Sequence, residues 1–109
     1  MISAKKALQI AMEDPETILF IQTAFSRPED RPLITSRRWF SEDDHGDRWN
    51  IELMEKNLPH FSRREDLINV ALIEIHSHSG EITDRYYFAH ILLGEYEEFL
   101  SYSLCRIKS

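Results

Sequence analysis

Three side chains near the middle of the chain have the types and spacing of a metal site: Glu74, His76 and His78. They are separated by two residues, so on an extended strand all three project from one face. A carboxylate and two imidazoles placed this way are ligands for zinc or another divalent cation, and three protein ligands leave a position at which water can be activated. His90 or Cys105 joins such a set only if the fold brings it close. The competing reading is the polar, solvated end of a strand just before the turn Ser79-Gly80.

A second group is basic and aromatic. Arg37, Arg38 and Trp39 precede a polar turn, and Arg48 and Trp49 follow it. A guanidinium stacked on an indole is a recognition element for a phosphate, a carboxylate or a peptide. Arg37, Trp39, Arg48 and Trp49 are therefore the candidate binding residues. The alternative is a cross-strand packing cluster whose arginines balance the acidic turn Glu42 to Asp47. That turn lacks the alternating Asp/Asn ligands and terminal Glu of a calcium loop.

Other chemistries are absent from the pattern. There is no Gly-x-Ser-x-Gly elbow and no glycine-rich phosphate loop, with only three glycines in the chain. No organic cofactor is implied. No catalytic set is assigned, and the lean is towards a non-enzymatic role. A net charge of -6 opposes nucleic-acid binding, which needs clustered Lys and Arg. Cys105 cannot form an intramolecular disulfide and reads as a packing residue, which fits a reducing compartment. The longest run free of charged residues, Thr17 to Ser26, is too short to span a bilayer, and the first residues form no apolar leader. The expectation is a cytoplasmic protein with no membrane partner.

These candidates must be held by a fold, and 109 residues fit a single domain, 1-109. Ser3 caps an amphipathic helix over Ala4 to Glu13, with Ala7, Leu8, Ala11 and Met12 as its apolar stripe. Asp14-Pro15-Glu16 opens a second helix through Phe25; the β-branched TILFI run leaves a strand as the alternative there. Ser26 to Pro32 is a loop. Strands follow over Leu33 to Phe40 and Arg48 to Lys56, then over Leu67 to His76 and Glu81 to Phe88. The last segment, Ala89 to Ile107, has helical period with Gly94 inside it. The fold class is α+β: N-terminal helices and a C-terminal helix packed on one face of an antiparallel sheet of about four strands.

This pattern resembles the PepSY domain and its cystatin-like relatives. The residues that carry the likeness are Ile2-Ser3-Ala4-Lys5-Lys6-Ala7-Leu8 opening the first helix and Trp49-Asn50-Ile51-Glu52-Leu53 as a middle strand. Val70, Ile73-Glu74-Ile75 and the turn Ser79-Gly80-Glu81-Ile82 complete it, so the likeness runs from about Ile2 to Tyr87. Pro15 to Phe25 and the C-terminal helix are additions to the family's simplest form, and His76-Ser77-His78-Ser79 stands where Asp and Thr are usual. The resemblance implies a cystatin-like helix-on-sheet fold and a non-catalytic role in binding or regulation.

Three functional readings follow. The first is a small binding or regulatory module that contacts protein or peptide. The second is a small-ligand or metal-dependent enzyme of NTF2-like architecture using His76 and His78. The third is an oligomeric interaction protein, with Tyr86-Tyr87-Phe88 and the last helix carrying the apolar load of a homodimer.

Overall fold

Seven elements follow one another in a computed structural model: α1 (Ala4–Glu13), α2 (Pro15–Ala24), β1 (Ile34–Ser41), β2 (Arg48–Lys56), β3 (Leu67–His76), β4 (Ile82–Leu92) and α3 (Leu93–Lys108). The structure describes residues 1–25, 34–42, 46–56 and 63–108, without the side chains of 34, 35, 56 and 103–108. The expected Ser26 to Pro32 loop, most of the Asn57 to Asp66 connection, the tip of the acidic turn and the Cys105 side chain lie outside the described residues.

The helix boundaries follow from caps. The Ser3 hydroxyl accepts from the Lys6 amide at 3.0 Å. Asp14 serves two helices: its own amide donates to the Ala11 carbonyl to close α1, and its carboxylate accepts from the Thr17 amide to open α2 with Pro15 in the first position. The second helix therefore forms as its cap chemistry predicts, despite the β-branched run within it.

The strands pair in sequence order, β1-β2-β3-β4, all antiparallel. Alternation sorts side chains onto two faces. Ile51, Leu53, Ala71, Ile73 and Ile75 meet Ala7 and Ala11 of α1, whose short side chains let the helix lie close to the sheet. Met54, Ile68 and Val70 point the other way and meet Leu93 and Tyr96 of α3. The α+β class, the four antiparallel strands and the terminal helices stand as expected. The expected packing of all three helices on one face is corrected: α1 and α2 cover one face, and α3 covers the opposite one. The reason is visible in β3, which is buried on both faces from Ile68 to Ile73, as a near-continuous apolar strand requires.

β4 runs four residues past the expected Phe88, to Leu92, because it goes on pairing with β3 as far as Leu67. The extension includes a bulge. Val70 pairs with Phe88 and Ile68 with Ile91, so Ala89 and His90 oppose the single residue Asn69. His90 adopts φ 53°, and its amide donates to the Asn69 side-chain oxygen at 2.9 Å. The Asn69 amide group donates in turn to buried Glu55 at 3.1 Å. Gly94, expected inside a helix, is the second residue of α3. Its amide donates to the Arg64 carbonyl, and an added Cβ would stand 3.1 Å from the Arg64 guanidinium.

Candidate functional site: a cleft beside the first strand

The basic-aromatic group divides between the two faces of the sheet. The register pairs Trp39 with Asn50 and Phe40 with Trp49, so the two indoles point in opposite directions. Trp49 lies under α1, donating from its indole nitrogen to the Ile2 carbonyl at 3.0 Å and meeting Phe40 edge-on at 5.2 Å. Arg37, Trp39 and Arg48 share the α3 face. There the Arg37 guanidinium donates twice to Glu52, at 2.7 and 2.8 Å, with its charge centre 5.9 Å from the Trp39 ring. Arg48 lies 3.4 Å from the Glu74 carboxylate. The expected single surface of Arg37, Trp39, Arg48 and Trp49 is therefore not assembled, and its two candidate arginines are already paired with carboxylates.

Glu52 is the centre of this face. It is 2% exposed, and it also accepts from the hydroxyl of buried Tyr96 at 2.7 Å. Burial, with the Glu52 charge next to it, pushes the Tyr96 phenol well above its usual range. Arg37 shifts upward as well, chiefly through its bonds to Glu52. The triad of Arg37, Glu52 and Tyr96 ties β1, β2 and α3 together.

Glu74, His76 and His78 do not gather as metal ligands. Among the described residues no three His, Cys, Asp or Glu side chains form a group able to hold an ion. Glu74 is taken by Arg48. The Nδ1 of His76 accepts from the amides of His78 and Ser79, at 3.2 and 3.1 Å, so His76 shapes the turn. His78 is exposed beyond the strand end, with its ring centred 5.9 Å from that of His76. Gly80, at φ 75°, completes the turn by donating to the His76 carbonyl.

A different site takes shape on the other face. Leu8 and Met12 of α1 and Ile18, Ile21 and Gln22 of α2 line an open cleft of about 370 Å³, floored by Leu53 and Ser36. Met12 and Ile18 are partly exposed at its rim, and neighbouring Leu19 is 60% exposed. The cleft reaches β1, the edge strand, through Ser36. Arg38 stands on the same face of β1 two residues on, exposed and in no ion pair among the described residues. The sequence carried a signal for this cleft. Ile18-Leu19-Phe20-Ile21 places four apolar residues in a row, more than one buried helix face can use.

The two helices that form the cleft are fixed by an ion pair at their junction. Arg85 of β4 donates to Asp14 at 3.0 and 2.9 Å, and the Thr17 hydroxyl donates to the same carboxylate at 2.8 Å. The Arg85 bonds, assisted by those from Thr17, hold the Asp14 carboxyl down at about 2. The Tyr87 hydroxyl lies 3.1 Å from that of Thr17, and the Tyr87 ring stacks on Phe20 at 4.6 Å. Burial raises the Tyr87 phenol.

No family model, curated protein or solved structure matches the chain. The PepSY and cystatin-like resemblance thus rests on the residues that carry it. Among the described residues no helix is long and apolar enough to cross a membrane.

Proposed function

We propose that this chain is a non-catalytic binding module that takes an extended peptide segment of a partner protein in the cleft between α1 and α2. The observation that carries the reading is the position of the cleft: an apolar hollow of about 370 Å³ opens beside an edge strand. An edge strand offers main-chain bonds to an added strand, and a neighbouring hollow takes an alternate side chain. The lining is apolar apart from Gln22 and Ser36, which suits an anchoring aliphatic or aromatic residue. The Asp14–Arg85 pair holds the helices in place before any ligand arrives, which lowers the ordering cost of binding. Neither His76 nor His78 lines this cleft, so the small-ligand enzyme reading gains nothing from it.

The test is selection of a displayed random peptide library on the purified protein, repeated with Ile18→Asp. Ile18 is partly exposed, so the variant keeps its fold. The expected result is enrichment of peptides with an apolar anchor, lost in the variant. Enrichment that survives Ile18→Asp, or no enrichment at all, overturns the reading.

A further inference from the structure

We infer that the peptide held by this cleft carries an acidic residue two positions from its apolar anchor, and that Arg38 recognises it. The inference rests on the peptide-binding reading of the same cleft. Ser36 pairs with Leu53 and Arg38 with Ile51, so both side chains stand on the cleft face of β1, about 7 Å apart along the strand. An added strand has the same period. When its anchor enters the cleft beside Ser36, the residue two positions away stands beside Arg38.

The charges on β1 favour an acidic occupant. Arg37 points to the opposite face, where Glu52 neutralises it. Arg38 is exposed and forms no ion pair among the described residues. A second copy of this chain, docking by the same edge and centred on Arg38, would set guanidinium against guanidinium, which disfavours pairing. A carboxylate at that position instead gives Arg38 a forked, charge-assisted partner. The requirement is one of parity as well as charge. An acidic residue one or three positions from the anchor projects from the other face of the added strand and misses Arg38.

The experiment uses synthetic, dye-labelled peptides of nine residues, built on a Ser/Thr background with one Leu anchor. One Glu is placed one, two or three positions from the anchor, and controls carry Gln or Lys at two. Binding is followed by fluorescence anisotropy on the wild-type protein and on Arg38→Glu. Glu at two positions is expected to bind about fivefold tighter than Gln at two or Glu at one or three, the scale of one exposed ion pair. Arg38→Glu should reverse the preference to Lys. Equal binding of all spacings, with Ile18→Asp still abolishing it, overturns the acidic recognition and leaves the cleft reading standing. Absence of binding by every peptide overturns both.

Discussion

Asp14 and Arg85, 71 residues apart, form a two-bond ion pair at 3.0 and 2.9 Å that fastens the junction of α1 and α2 to β4. The carboxylate is 7% exposed and also caps α2 through Thr17. Helix capping and tertiary docking therefore depend on one side chain. The folded state lowers its pKa from 3.8 to about 2. A lowered carboxyl contributes stability that is complete above the unfolded value and lost as pH falls towards the folded one. The contribution is roughly 2 kcal/mol. Asp14→Asn should lower the unfolding free energy by about that amount at pH 7, and the gap to wild type should close between pH 4 and 2. Urea unfolding across that range checks it; a gap independent of pH would show that the ion pair contributes nothing specific.

Tyr96 and Glu52 make the corresponding fastening on the other face. A phenol that donates to a buried carboxylate is worth more than a neutral hydrogen bond, about 1.5 to 3 kcal/mol. Tyr96→Phe should destabilise by that amount while keeping the ring contacts with Phe88 and Phe99. In a double-mutant cycle with Glu52→Gln, the two changes should be clearly non-additive, since the residues share one bond. Additivity within about 0.5 kcal/mol would contradict the direct bond.

How far these relationships could be read from the chain depends on the range over which they act. The caps at Ser3 and Asp14 use residues three apart, and both helix starts were legible. The strands Arg48 to Lys56 and Leu67 to His76 also followed from local pattern. What failed was parity and partnership. Whether Trp49 shares a face with Trp39 or with Phe40 depends on a one-residue choice of register, and a slip by one residue moves every side chain to the other face. The partner of Asp14 lies on the last strand, and that of Glu52 on the last helix, and no spacing rule reaches across 71 or 44 residues. The end of β4 is ambiguous in the sequence because Ile91 and Leu92 fit a helical stripe as well as a strand. Asn69 settles the matter by meeting the amide of His90.

Ser77 presents the opposite case to these satisfied groups. It is fully buried, and its hydroxyl has no hydrogen-bond partner among the described residues. Its backbone is occupied, with the amide donating to Asp47 and the carbonyl accepting from Ile2. A buried polar atom without a partner carries a desolvation cost of about 1 to 3 kcal/mol. Ser77→Ala removes the hydroxyl, keeps the backbone bonds and leaves little empty space. It should be neutral or stabilising by up to about 1 kcal/mol, read as an unchanged or raised midpoint in thermal or urea unfolding. A loss of more than about 1 kcal/mol would mean that the hydroxyl has a partner after all.

The two histidines that stand out in the sequence can be told apart by experiment. His76 Nδ1 is the shared acceptor of the turn amides of His78 and Ser79, a role that requires this nitrogen to carry no proton. His78 contributes its backbone amide to that arrangement and leaves its ring exposed. His76→Ala should therefore cost about 1 kcal/mol, the net value of a hydrogen bond of this kind. His76→Asn should recover part of the loss, because a short side-chain carbonyl can accept from amides two and three residues on. His78→Ala should be near neutral. A metal site would give another pattern: both alanine variants would weaken zinc binding, and zinc would raise the unfolding temperature of the wild type. Thermal unfolding of the four proteins with and without zinc separates the two accounts. The turn role predicts four midpoints insensitive to zinc and ordered by the acceptor at position 76.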